Sequence, residues 1–169
     1  MSAPTTVEPY ALAPEAGEAL WVLGGRYTWK AKGQQTEGAY SLCEVAGPPG
    51  FAIPVHLHER EHEGFYVVSG VVTLALGQEL TTVGAGGFGF APAEVPHSFR
   101  LDAPDTRLLL LITPGAQGHE GMFAELGRPA EGHVPPPESD EPPDIDLLAG
   151  IAARHGTRIV GPPPGPSAP

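Results

Sequence analysis

The sequence predicts an all-β domain, a sandwich or barrel of antiparallel strands, followed by two short helices. Short runs rich in Val, Leu, Phe, Tyr and Thr recur between glycines and prolines, which is the pattern of a turn-rich β protein. Glycine (23 residues) and proline (21 residues) are both abundant, and no helix is expected among these runs. The predicted strands are 19–23, 27–32, 39–45, 55–58, 64–68, 71–76, 80–83, 87–91, 97–101 and 107–113.

Tight turns are expected between strands in the centre of the chain. Ser69-Gly70 and Gly77-Gln78 stand where hairpin turns are needed. Glycine suits these positions because it adopts a positive φ at small cost. Consecutive hairpins are therefore predicted.

The segment after the last predicted strand changes to helical periodicity. Met122, Phe123 and Leu126 fall on one side of a short helix that ends near Gly127 and is stopped by Pro129. The following stretch, 131–143, is rich in proline and acidic residues, which predicts an extended surface strap.

A second helix is expected to begin at the N-cap Asp144 and to end at Gly156. Its predicted apolar face consists of Leu147, Leu148, Ile151 and Ala152.

Length and composition fit a single domain. A chain of 169 residues with 41% hydrophobic content is long enough for one packed core and short for two. We expect an N-terminal arm at 1–17, a barrel at 18–114, helices and strap packed on the barrel at 115–160, and a flexible tail at 161–169.

The charge of the chain excludes some classes of partner. The formal net charge is −11, and the nine Lys and Arg residues form no cluster, so the surface repels phosphate backbones and anionic lipid. No nucleic acid or membrane partner is expected. The single Cys43 cannot form an internal disulfide, and the sequence has no leader-like or membrane-spanning run, so a cytoplasmic location is expected.

Three histidines and one glutamate have the spacing of a metal site. In the extended stretch 55–58, side chains alternate across the sheet, so His56 and His58 point to the same face. Glu63 and His97 would complete the site from neighbouring strands. Metal ligation by these four residues is favoured over the alternative of unrelated strand histidines and a surface acid.

Two motifs resemble those of the cupin superfamily. They are Gly50-x5-His56-x-His58-x4-Glu63-x6-Gly70 and Gly86-x5-Pro92-x-Glu94-x2-His97. The resemblance implies a double-stranded β-helix, a jelly-roll-like barrel, with one divalent metal ion per chain. Glu94 and Leu101 replace the usual residues of the second motif, at positions that do not bind metal in the family.

Further segments resemble the single-cupin quercetin 2,3-dioxygenases of bacteria. They are 61–67, 87–92 and 122–127. This resemblance implies a flavonol substrate whose hydroxyl is deprotonated, and whose heterocycle is cleaved by dioxygen with release of carbon monoxide. Small cupins also resemble one another in forming homodimers, for which the strands before Lys32 are the candidates for pairing.

The ligand set limits the chemistry but leaves the metal open. Three imidazoles and a carboxylate suit Ni, Mn, Fe, Co, Cu or Zn. In a six-coordinate site, four protein ligands leave two positions, whereas oxygenases that use a 2-oxo acid need three. A substrate that supplies its own electrons, such as an enolate or catecholate, is the better match, and Glu63 would serve as ligand and as base.

Alternation also predicts the surroundings of the metal. Phe65, Val67 and Phe99 should face inward, and Phe65 and Phe99 are the candidate substrate-binding residues. Arg100 falls on the opposite face, which disfavours a polyanionic substrate. His62 should point away from the metal. The other histidines, expected to be ordinary surface or cap residues, are His119, His133 and His155.

Three functions are compatible with these features. The first is a metal-dependent dioxygenase that acts on a flavonol or a related enolisable aromatic compound with O2. The second is a non-redox metal enzyme, such as a cyclase or isomerase of a polyketide-like metabolite. The third is a small-molecule-binding cupin without turnover.

Overall fold

The computed structural model describes residues 7–132 and 144–166. Within them, two antiparallel sheets face each other and enclose the core, and two helices follow the main strands. The structure confirms the all-β prediction. No helix among the described residues has the length and apolar character needed to cross a membrane.

The strands of the seven-stranded sheet are β1 (Glu18–Val22), β2 (Gly25–Ala31), β3 (Ser41–Ala46), β5 (His62–Ser69), β8 (Phe88–Ala91), β10 (Arg107–Thr113) and β11 (Arg128–Pro129). Their order across the sheet is β11-β1-β2-β3-β10-β5-β8. The strands of the five-stranded sheet are β4 (Val55–His58), β6 (Val71–Leu76), β7 (Glu79–Gly84), β9 (His97–Leu101) and β12 (Thr157–Gly161). Their order across the sheet is β12-β4-β9-β6-β7.

The core lies between the inner faces of the two sheets. Alternate residues of each strand point inward, so that Phe65 and Val67 of β5 are fully buried opposite Phe99 and Leu101 of β9. On the outer face, Tyr66 of β5 is exposed. The same alternation turns His56 and His58 of β4, Glu63 of β5 and His97 of β9 towards the interior.

The strand predictions are largely confirmed, but one predicted hairpin is wrong. The chain does turn at Gly70, which has a φ of +76°. However, β5 pairs with β10 and β8, whereas β6 pairs with β7 and β9. The turn at Ser69-Gly70 therefore connects one sheet to the other and does not form a hairpin. The predicted hairpin at Gly77-Gln78 is confirmed, because β6 pairs with β7.

The prediction that no helix interrupts the strands is also wrong in one place. A 3-10 helical turn, Gly33–Thr36, lies between β2 and β3. The side chain of Gln35 accepts a hydrogen bond from the backbone N–H of Lys32, and Glu37 ends the turn with a φ of +53°.

The two helices follow the main strands, as predicted. Helix α1 is Gly118–Leu126 and helix α2 is Ile145–Arg154. Asp144 caps α2, because its side chain accepts a hydrogen bond from the backbone N–H of Leu147. The assignment of Leu147 to the buried face is wrong: it is 59% exposed, because the face that packs against α1 and β12 is formed by Leu148, Ile151 and Ala152.

Strands β11 and β12 were not predicted. In β11, Pro129 pairs with Leu20, so this residue continues the seven-stranded sheet rather than only stopping a helix. Strand β12 pairs with β4, where Thr157 is the partner of His58. The tail was expected to begin at Gly161, which is instead the last residue of β12.

Some predictions fall outside the described residues. They concern the strap at 133–143, His133, the first six residues of the N-terminal arm and the last three residues of the tail. Pairing of the strands before Lys32 with a second copy stays a prediction. In this chain β1 lies between β2 and the short β11.

Candidate metal centre

Four side chains from three strands converge at one end of the barrel. His56 and His58 come from β4, Glu63 from β5 and His97 from β9. All four are buried, and the ligand atoms they offer lie within 4.8 Å of one another. The structure thus brings together the four residues that the sequence singled out; metal ligation itself stays a prediction.

The histidine rings are oriented by hydrogen bonds at their Nδ1 atoms. His56 Nδ1 lies 2.8 Å from the carbonyl oxygen of Pro54, and His97 Nδ1 lies 2.7 Å from that of Val95. A carbonyl oxygen only accepts, so both rings donate from Nδ1 and leave a lone pair on Nε2. Outer hydrogen bonds of this kind are typical of metal-binding imidazoles.

His58 is held by the strand that the sequence did not reveal. Its Nδ1 lies 2.8 Å from the hydroxyl Oγ1 of Thr157 in β12. Its Nε2 is buried and, among the described residues, has no hydrogen-bond partner, although Glu63 Oε2 is 3.4 Å away. A buried nitrogen without a partner is costly, and it fits a site in which a cation binds there.

Burial and mutual repulsion keep two of these imidazoles neutral. Burial is the largest cause that lowers the pKa of His56 well below its usual value, and His58 and His97 add to the effect. Burial, with the nearby His119, lowers the pKa of His58 to about 4. Neutral imidazoles are the form that binds a metal.

Glu63 provides the negative charge of the centre. Its Oε2 lies 3.0 Å from His97 Nε2. Burial alone would raise the pKa of Glu63, but the charge of His119 and the neighbouring imidazoles of His58 and His97 hold it well below its usual value. The carboxylate is therefore ionised at neutral pH. Three nitrogen donors and one anionic oxygen fit a divalent transition metal.

The prediction that His119 is an ordinary surface or cap residue is wrong. His119 lies in the first turn of α1 and is 2% exposed, with Nδ1 2.8 Å from Glu61 Oε2. Its Nε2 lies 3.6 Å from Glu63 Oε2. Burial would lower the pKa of His119, but Glu63 and Glu61 raise it to about 10. Sequence reasoning missed it because a single histidine in a short helix carries no spacing signal.

The other candidate residues occupy different surroundings. Phe99 lies on the wall of a cavity beside the centre. Phe65 is fully buried behind it and packs its ring against His97, with ring centroids 5.8 Å apart. His62 accepts a hydrogen bond from the backbone N–H of Ala93 and lies outside the cluster, as expected. His155 is partly buried and bonds Glu125.

The cavity lies between the barrel end and a cap, by which we mean α1, α2 and β12. Its volume is about 50 Å³. The polar residues on its wall include His56, Glu63 and His119, and the rest of the wall is mainly apolar. The apolar wall includes Ile53, Phe99, Leu110, Met122, Phe123 and Leu148.

Comparisons with known proteins agree with this architecture. Residues 44–113 match the family described as Cupin domain. The chain is 31% identical over 154 residues to the quercetin 2,3-dioxygenase of Bacillus subtilis (strain 168), and 30% identical over 133 residues to that of Aspergillus japonicus. These matches cover 90% and 74% of this chain, but 44% and 37% of the relatives. The chain thus spans about two fifths of the length of the curated relatives it matches.

A solved structure supports the fold alone. The Streptomyces nucleoside dehydratase Pac13 superposes with a TM-score of 0.54 and 18% sequence identity. The superposition covers 73% of this chain and 92% of Pac13.

Proposed function

We propose, from the premise that this chain is a cupin resembling the quercetin 2,3-dioxygenases, that it is a metal-dependent dioxygenase. Its substrate would be a flavonol or a related enolisable aromatic compound, cleaved with O2. The observation that carries the proposal is the buried group of three histidines and Glu63 beside an apolar cavity.

The metal would be held by His56, His58, Glu63 and His97. A divalent transition metal in such a site polarises and orients a substrate oxygen and favours its ionised form. The hydrogen bonds at the Nδ1 atoms of His56 and His97 preorganise the two rings, so that little reorganisation is needed on binding.

Glu63 would accept the proton of the substrate hydroxyl. Glu63 is ionised, because the surrounding imidazoles hold its pKa low. It also lies on the cavity wall. A general base must reach the proton that it takes, and Glu63 and His56 are both on the wall that a substrate would contact.

The cavity wall would bind the aromatic body of the substrate and exclude water. Phe99, Met122 and Phe123 provide apolar and aromatic surface. The cavity volume of about 50 Å³ is far below the roughly 300 Å³ at which pockets for drug-sized ligands begin. A flavonol would therefore require outward movement of α1 and α2 before it binds.

The small cavity is also the observation that favours a second candidate. A non-redox metal enzyme, such as an isomerase or cyclase, would need less space if its substrate were smaller than a flavonol. In that case the cation would act on a single substrate oxygen, and dioxygen would be irrelevant.

The test is a paired gas measurement. Protein reconstituted separately with Ni, Co, Mn, Fe, Cu or Zn is mixed with quercetin, and dioxygen uptake and carbon monoxide release are followed. The proposal expects both gases to change together with at least one metal, and not with the Glu63→Gln variant. No change with any metal, while the metal remains bound, would contradict cleavage of a flavonol and would favour a different substrate or the non-redox enzyme.

A further inference from the structure

Glu61 and His119 form a buried pair of ionisable side chains that the proposed chemistry does not use. They are 3% and 2% exposed. Buried groups of this kind are costly to maintain, and an apolar pair of similar volume is often at least as stable. Their place beside a functional centre therefore calls for a role there.

Glu61 is fixed by the beginning of helix α1. The backbone N–H of His119 lies 3.3 Å from each of the two carboxylate oxygens, and His119 Nδ1 lies 2.8 Å from Oε2. The positive end of the helix dipole favours a carboxylate at this position. Since the acceptor is a carboxylate, Nδ1 of His119 is the donor, and the ring orientation is set.

The first turn of α1 is also tied to the barrel on its other side. The Glu120 carboxylate accepts a hydrogen bond of 2.6 Å from the backbone N–H of Gly33 and one from the hydroxyl of Ser41. Glu61 and Glu120 thus hold the same helical turn from two directions. The turn that carries His119 therefore has little freedom to shift.

The fixed ring of His119 faces the metal centre. Its Nε2 lies 3.6 Å from Glu63 Oε2, and its ring centroid is 4.0 Å from that of His58. Phe123, one turn further along α1, contacts the ring edge at a centroid distance of 5.6 Å. The ring of His119 thus lies against both Glu63 and His58.

We propose that Glu61 and His119 are positioning residues for Glu63. Glu61 sets the ring of His119, and the Nε2 side of that ring holds the Glu63 carboxylate at the place where it binds the cation and meets the substrate. The proposal rests on the metal centre of the proposed function, but not on the identity of the substrate.

Two substitutions at one position separate the two contacts. In His119→Asn the amide nitrogen stands near the place of Nδ1, so the contact with Glu61 is kept and the contact with Glu63 is lost. In His119→Gln the amide nitrogen stands near the place of Nε2, so the contact with Glu63 is kept. His155→Gln is the matched control, because His155 also bonds a glutamate, Glu125, but lies outside the centre.

The experiment measures Co²⁺ affinity by competition titration and the visible spectrum of the Co²⁺-loaded protein. We expect His119→Asn to lower the affinity about 10–100-fold, the usual effect of losing an outer partner, and to change the ligand-field bands. His119→Gln, which keeps the contact with Glu63 but loses the one with Glu61, should lose less affinity than His119→Asn, and His155→Gln should stay close to the parent protein. Glu61→Gln, which weakens the hold on the ring of His119, should also lower the affinity, and it serves as the second variant if His119→Asn does not fold.

Each other outcome overturns the proposal. Parent-like affinity and spectrum in both His119→Asn and Glu61→Gln would show that the pair does not position Glu63. Equal losses in His119→Asn and His119→Gln would show that the contact with Glu63 is not the cause. Two bound Co²⁺ per chain in the parent would make His58, Glu61 and His119 ligands of a second ion. The experiment measures metal binding and not substrate turnover. Its result can therefore be interpreted even if the dioxygenase proposal fails.

Discussion

The barrel end and the cap both contribute side chains to the candidate metal centre, but the two regions differ in how far apart the contacting residues are in the sequence. The barrel end supplies His56, His58, Glu63 and His97 from neighbouring strands, and two short sequence motifs contain all four. The cap supplies Thr157, which lies 99 positions from its partner His58, and His119, which lies 58 positions from Glu61. Groups that would bind the metal are thus local in sequence, whereas groups that orient them are distant.

The two glutamate–histidine pairs of the cap region sharpen this contrast. Glu61–His119 is buried beside the centre, whereas Glu125–His155 joins α1 to the end of α2 near the surface. Both pairs have the same chemistry and a contact of 2.8 Å. Only the buried pair contacts Glu63, so position rather than residue type distinguishes a site residue from a structural one.

The largest effect is expected from a change at the barrel end. Glu63→Gln should lower turnover by about 10²- to 10⁴-fold, the usual contribution of a general base, and lower metal content less. Turnover is measured by dioxygen uptake and metal content by elemental analysis. Glu79→Gln on exposed β7 is the control and should behave as the parent. Equal loss of metal and turnover would remove the argument for a second role of Glu63.

The next largest effect should come from the apolar side of the cap. Phe123 is 6% exposed and packs against Tyr27 and Trp29, with ring centroids 4.7 and 5.7 Å away. Phe123→Ala should lower the free energy of unfolding by about 3–5 kcal/mol, measured by denaturant titration. Leu147→Ala, on the exposed face of α2, should change it little. Similar values for both would mean that α1 does not pack as described.

A smaller effect is expected from the hydrogen bond between cap and barrel end. Thr157→Val removes the hydroxyl that contacts His58 Nδ1 and should weaken metal binding about 10–100-fold. Thr157→Ser keeps the hydroxyl and should retain the parent affinity. Metal affinity is measured by competition with a chelator. If the valine variant binds as tightly as the serine variant, β12 does not orient His58.

The smallest effect should come from the start of α2, remote from the metal centre. Asp144 accepts a hydrogen bond of 3.0 Å from the backbone N–H of Leu147. Asp144→Ala should lower the free energy of unfolding by about 1 kcal/mol and leave metal affinity unchanged. Asp144→Asn keeps a capping oxygen and is the control. A large loss of metal affinity in the alanine variant would connect this helix end to the centre.

Local sequence patterns predicted the barrel well. Strands β6, β9 and β10 have the predicted bounds, because alternation of apolar side chains and flanking turn residues are local signals. The turn at Gly70 was placed correctly, but its pairing was not. Which strands pair across a turn depends on the closure of both sheets, which no local pattern contains.

The cap was predicted only where it is locally regular. Asp144 is recognisable as an N-cap residue, and the apolar positions of α1 have helical spacing. Strand β12 is short and gains its partner only when β4 is in place, and Thr157 orients His58 only through that pairing. His119 likewise becomes a site residue only because α1 lies against the barrel end.

The most direct test of the central claim, that His56, His58, Glu63 and His97 hold the metal, is an anomalous difference map. Crystals of the protein reconstituted with the metal that supports the highest activity or affinity would be measured at that metal's absorption edge. The account predicts one peak per chain, bounded by the three Nε2 atoms and the Glu63 carboxylate. No peak there, or a peak between His58, Glu61 and His119 alone, would contradict it.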